Sequence, residues 1–119
     1  MEVTLDELRI RLAEEALALV DVRAPAEFDG TAQAACDPRH GHIPGARNVP
    51  LEDILECRSA EEVRSLVGLP EGANVVAYCH SGSRSAFATQ VFRGAGYEAQ
   101  NYVGSWHEWS RDESLPVES

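Results

Sequence analysis

The sequence predicts an α/β fold, a mainly parallel central sheet of about five strands with helices on both faces. Three observations carry this. Apolar stretches of strand length alternate with segments of helical periodicity along the 119 residues. No hairpin turn signal joins one strand-like stretch to the next, so crossover connections are expected. The stretches "ALALVDVR" and "NVVAYC" are near-continuously apolar, as strands covered on both sides are. The length suits one hydrophobic core, and a single domain over residues 1–119 is expected.

Thr4 and Glu7 have capping-box spacing, and Leu5, Leu8 and Leu12 follow at helical intervals, giving a first short helix. The strand in "ALALVDVR" should end at Asp21 or Val22. Pro25 pre-sets the first residue of a helical turn reaching Phe28. A loop carrying Gly, Pro and Ala runs from Asp29 to Gly45, and "ARNVP" is a short strand closed by Pro50. "LEDIL" is a short helix. Ser59 and Glu62 form a second capping-box pattern ahead of "AEEVRSLVG", a helix stopped near Gly68. After the strand "NVVAYC", "RSAFATQVFRGAG" is a helix stopped by Gly94 to Gly96. "AQNYVG" is the last strand, and "SWHEWSRD" a terminal helical turn before Pro116.

Composition narrows the partners. The formal net charge is -10, which argues against nucleic acid and against an anionic membrane surface. An anionic ligand would need a locally built site of backbone amides and a few arginines. All ten basic residues are Arg, so lysine Schiff-base chemistry and a Walker-type phosphate lysine are excluded. The start "MEV" has no basic n-region and no apolar h-region follows, so no secretory leader is expected. No apolar run is long enough for a membrane span. Three cysteines, at 36, 57 and 79, show no metal-type spacing, and reduced thiols in a cytoplasm are expected.

In α/β sheets ligands bind at the carboxyl ends of strands, and Cys79 stands at such an end. The following residues, His80, Ser81, Gly82, Ser83, Arg84 and Ser85, are mostly small. A loop of small residues leading into a helix lets successive N–H groups turn inward, making an anion cradle that also favours thiolate over thiol. Gly82 admits a positive φ or a close backbone approach, and Arg84 brings a fixed positive charge. An ordinary buried cysteine ahead of a helix is the plain alternative.

Four segments, in order, resemble the rhodanese (sulfurtransferase) family across almost the whole chain. They are "LVDVRAPAEF", "GHIPGARNVP", "VVAYCHSGSRSA" and "YVGSWHEWSRDESLPVE". The resemblance is to rhodanese-like domains, with the loop after Cys79 most similar to single-domain rhodaneses. It implies a thiosulfate sulfurtransferase that needs no cofactor. Cys79 would take a sulfane sulfur from a small anionic donor, thiosulfate ranked ahead of mercaptopyruvate. It would pass that sulfur to a thiol, to cyanide or to a protein cysteine, with ping-pong kinetics. His80 to Ser85 would form the substrate-binding cradle, and Arg84 would help hold the anion and the persulfide. Asp21 and Arg23 would orient loops through charged hydrogen bonds. The family's substrate-binding arginine near the end of the first motif is replaced by Glu27 or its neighbours.

His42 is read as a ring holding its loop, with acid–base work near the thiol as the alternative. Cys36, His40 and His42 lack a fourth ligand, so no metal is expected. Cys36 reads as a bystander thiol, with a resolving role as the alternative, and Cys57 as packing. Trp106 and Trp109 share a helical face and belong in the core, with a place at the active-site mouth as the other reading. A cysteine phosphatase or arsenate reductase is the rival enzyme. Four residues separate Cys79 from Arg84, one fewer than in those loops, and the tighter loop suits a persulfide. A noncatalytic module or a sulfur carrier for a protein partner is the other rival; noncatalytic modules usually lack the cysteine, and Cys79 is present.

Overall fold

The computed structural model describes residues 1–13, 17–32 and 35–119. Among the described residues, five parallel strands form one sheet in the order β1-β5-β4-β2-β3. They are β1 (Glu2–Val3), β2 (Leu17–Asp21), β3 (Arg47–Asn48), β4 (Asn74–Tyr78) and β5 (Glu98–Tyr102). The helices are α1 (Leu5–Arg11), α2 (Pro25–Phe28), α3 (Leu51–Glu56), α4 (Ala60–Val67), α5 (Ser83–Gly94) and α6 (Ser105–Trp109). The expected first residue of the second strand, Ala16, lies outside the described residues, as do two positions of the expected 29–45 loop.

Side-chain alternation along the strands divides the core into two layers. Val20, Val75, Ala77, Cys79 and Ala99 face Ile54 of α3, Val63 and Val67 of α4, and Ala88 and Phe92 of α5. Leu19, Val76, Tyr78 and Tyr102 face Leu8 of α1 and the two tryptophans of α6. Both faces of the sheet are thus covered, which explains the unbroken apolar runs of β2 and β4. Trp106 and Trp109 are core residues of the second layer, as the default reading expected. Burying rings of that size contributes more area than most other side chains in the layer.

The first capping box forms in both directions between Thr4 and Glu7. The second forms in one direction only. Ser59 Oγ accepts from Glu62 N at 3.1 Å, but the Glu62 carboxylate takes the N–H of Arg58 at 2.9 Å rather than that of Ser59. The terminal helix is shorter than "SWHEWSRD" and ends at Trp109.

One strand has no counterpart in the sequence pattern. β1 is two residues long and exists by pairing with Asn101 and Tyr102 of β5. The carboxy-terminal segment is held by Arg39, whose guanidinium donates to the carbonyls of Trp109, Ser110, Asp112 and Leu115. It is also held by an antiparallel bridge between His42 and Glu118. That bridge brings Glu118 O so close to Gly41 that a Cβ there would lie 2.0 Å from it. Only glycine fits the first position of "GHIPG".

Candidate active site

β4 lies between β5 and β2, and Cys79 is the residue after its last paired position. Its N–H donates to Ser105 Oγ at 3.1 Å. Its carbonyl accepts from Trp106 N at 2.9 Å, and the next carbonyl, of His80, accepts from His107 N at 2.8 Å. Gly82 O is engaged by Ala86 N, Ser85 Oγ and Asn101 Nδ2. With these carbonyls tied outward, the loop amides are free to turn in. Gly82 N approaches Cys79 Sγ at 3.1 Å and Ser85 N at 3.4 Å, and Ser85 Oγ adds a contact at 3.3 Å. Gly82 has φ +98°, and a Cβ on it would lie 2.6 Å from Val103 O. A side chain at this position would push the loop off the sulfur.

These donors favour the thiolate form of Cys79. Burial pushes its thiol up, but the hydroxyl of Ser85 and the amides of Ser85, Gly82 and Ser81 outweigh that and hold it below the ordinary thiol value. Cys57 is the reverse case. Burial and the carboxylates of Glu62, Asp53 and Glu56 push its thiol up, and it packs against the first core layer. The two thiols therefore shift in opposite directions, Cys79 toward the thiolate and Cys57 away from it.

The other expected site residues fall in two groups. Gly82 and Ser85 meet the sulfur directly, and Ser81 lends its amide. Ser83 is the first residue of α5. The ring of His80 is turned to Asp37, with Nε2 at 2.9 and 3.0 Å from the two carboxylate oxygens. Arg84 is not free for an anion. It holds Glu27 through two bonds, of 2.9 and 3.2 Å. The Glu27 bonds and charge raise its pKa against the effect of burial, and the Cys79 thiolate adds to the rise. The guanidinium thus stands within the field of the sulfur, largely neutralised by Glu27.

Asp21, Arg23 and His42 build the frame. Arg23 Nη2 donates to Asp21 Oδ2 at 2.7 Å and to Gly41 O at 2.6 Å. The guanidinium carbon lies 4.9 Å from the Trp106 ring centre. Both charged groups are almost fully buried. This pair joins β2, the "GHIPG" loop and α6 below the site. His42 stacks on Phe28 at 3.7 Å between ring centres, with Nδ1 2.7 Å from Phe28 O.

Two residues of the site have only indirect signals in the sequence. Ser105 takes φ +55°, unusual for a residue other than glycine. It is held there because Oγ accepts from Cys79 N and donates to Tyr102 O at 2.8 Å. Asn101 is a polar residue buried between Gln100 and Tyr102 in β5, where its Nδ2 donates to Gly82 O. A polar side chain inside "AQNYVG" and the Gly-Ser pair after it were the available clues. Cys36 is exposed and lies beside Asp37 and His80, with Sγ 3.9 Å from His80 Nε2.

The sequence model of the Rhodanese-like domain family matches residues 4–112. The "Sulfur carrier protein TtuD" of Thermus thermophilus is 36% identical over 91% of this chain and 43% of that protein. The "Thiosulfate sulfurtransferase" of Pseudomonas aeruginosa is 32% identical over 97% of this chain and 45% of that protein. The chain therefore spans less than half the length of these curated relatives. Among solved structures, one described as "Probable Thiosulfate Sulfurtransferase" has 47% identity and a TM-score of 0.83, covering 99% of this chain and 47% of that one. The wild-type structure of EanB has a TM-score of 0.82 at 20% identity, covering 98% of this chain and 27% of that one, a likeness of fold alone. The parallel sheet, the cradle after β4 and these matches together place the chain in the rhodanese-like domain family.

Proposed function

We propose that residues 1–119 act as one thiosulfate sulfurtransferase unit working through a Cys79 persulfide. The observation that carries this is the convergence of Gly82 N, Ser85 N and Ser85 Oγ on a buried Cys79 Sγ whose thiol is held low. The Cys79 thiolate attacks the outer sulfur of thiosulfate. A new S–S bond forms, the donor S–S bond breaks, and sulfite leaves with the electron pair. The persulfide's outer sulfur, now negative, takes the place of the thiolate among the amides. An acceptor thiolate or cyanide then attacks that sulfur, and Cys79 leaves as thiolate. The cradle stabilises an anion on either side of each step, so neither direction needs a general acid.

Thiosulfate ranks first as donor because the site stabilises anionic sulfur and because relatives carry that name. A second reading, a carrier handing sulfur to a protein cysteine, is favoured by the similarity to a sulfur carrier protein. The working compartment is the cytoplasm, a reading supported by three free thiols. Among the described residues no helix is long and apolar enough to cross a membrane. The test is steady-state thiocyanate formation from thiosulfate and cyanide. Parallel double-reciprocal lines, with all turnover lost in Cys79→Ser, are expected. Turnover surviving in Cys79→Ser would refute the proposal. Turnover with a protein thiol but none with cyanide would select the carrier reading.

A further inference from the structure

A second cluster stands beside the sulfur cradle and takes no part in the chemistry above. Cys36 Sγ, an Asp37 carboxylate oxygen and His80 Nε2 all lie within 4.8 Å of one another. The separations are 3.9 Å from Cys36 Sγ to His80 Nε2, 3.9 Å from Cys36 Sγ to Asp37 Oδ1, and 2.9 Å from His80 Nε2 to Asp37 Oδ1. A tetrahedral zinc ion with ordinary bond lengths of about 2.3 Å to sulfur and about 2.1 Å to nitrogen and oxygen asks for about 3.6 Å, 3.6 Å and 3.4 Å. Each observed separation is within about half an ångström of that triangle.

We propose that Cys36, Asp37 and His80 form a site for a thiophilic divalent cation of the zinc class, with the fourth position left to solvent. The donor set has the right chemistry, one thiolate, one imidazole and one carboxylate, whose two negative charges neutralise the ion. Asp37 is buried, His80 is half-buried and Cys36 is exposed. The ion thus has an entry path, and two of its ligands sit in a structured surround.

Two neighbours constrain the site. Arg111 Nη1 lies 3.6 Å from Asp37 Oδ1, and its Nη2 donates to Cys36 O. A carboxylate has lone pairs enough for an arginine and a metal together, and the bond to Cys36 O fixes the chain that carries the thiol. The His107 ring meets the His80 ring edge-on at 5.8 Å, which limits its swing. A bound ion would tie the loop bearing Cys36 and Asp37 to the residue after Cys79.

The test uses the Cys57→Ser, Cys79→Ser double variant, in which neither other thiol can bind metal and no sulfur chemistry operates. Zinc is titrated against a chromogenic chelator, and cobalt(II) is bound in parallel as a spectroscopic probe. The expected result is one equivalent of metal and a cobalt spectrum with a thiolate charge-transfer band and intense tetrahedral d–d bands. Adding Cys36→Ser should abolish the charge-transfer band. Adding Cys36→Ser or Asp37→Asn should weaken binding more than about tenfold, the smaller end of what loss of a mere outer-shell partner costs. Thermal denaturation without metal shows that each variant is folded. No binding in the folded double variant, or binding unchanged by Cys36→Ser, would overturn the assignment.

Discussion

Removing one hydroxyl should retune the catalytic sulfur. Ser85 is fully buried, and its Oγ lies 3.3 Å from Cys79 Sγ and 3.3 Å from Gly82 O. Ser85→Ala keeps the backbone donor and leaves a gap of one oxygen. A hydrogen bond to a charged group contributes about 1.5–3 kcal/mol. One proton is shared here between two acceptors, so the lower end applies, and about 1.4 kcal/mol equals one unit of pKa. The sign is upward, because the lost bond favours the thiolate. In a Cys36→Ser, Cys57→Ser background, the rate of Cys79 alkylation by iodoacetamide should rise with pH through a midpoint below the ordinary value of about 8.5. In Ser85→Ala that midpoint should move up by about one unit. Where both midpoints lie above the working pH, about tenfold less thiolate is present. Each thiolate is about threefold more nucleophilic, since β is about 0.4–0.5. Sulfur loading should therefore slow about threefold rather than tenfold. An unchanged midpoint would refute the view that the hydroxyl sets the charge state of Cys79.

Four further single variants probe the loop and the frame around the site. Asp21→Ala leaves the Arg23 guanidinium buried without its carboxylate and should cost about 3–5 kcal/mol in urea denaturation, with Asp21→Leu, Arg23→Met recovering much of it. Gly82→Ala meets both a positive φ and Val103 O; it should lose about 1–3 kcal/mol of stability and most persulfide formation, checked by denaturation and single-turnover loading. Glu27→Gln releases Arg84 from its carboxylate and should lower the KM for thiosulfate several-fold. Arg84→Ala should raise it, with stability changed by about 1 kcal/mol or less, since the pair is half exposed.

The sequence carries the architecture through its strongest periodicities. β2 and β4 are apolar enough that burial on two sides decides them, α5 is long enough to show one buried face through Ser85, Ala88, Thr89 and Phe92, and the structure places all three within a residue or two of the expected bounds. Cys79 and the glycine of its loop were legible because few other residue types fit a strand-to-helix turn around a sulfur. What escaped is what only tertiary contact creates. β1 is too short to have a period and is defined by its neighbour. Ser105 reaches Cys79 from 26 residues away, and Arg39 gathers four carbonyls from the far end of the chain. Arg84 and Glu27 form a pair 57 residues apart, and no local pattern links them. Along the chain, the histidines nearest Cys36 are His40 and His42. The fold instead brings Cys36 to His80, a partner 44 residues away.

The central claim is that Cys79 carries sulfur, and intact mass after brief exposure to thiosulfate tests it most directly. The protein should gain the mass of one sulfur atom and lose it on addition of cyanide, and Cys79→Ser should gain none. A gain that persists in Cys79→Ser, or no gain from any sulfane donor in the folded protein, would contradict the account.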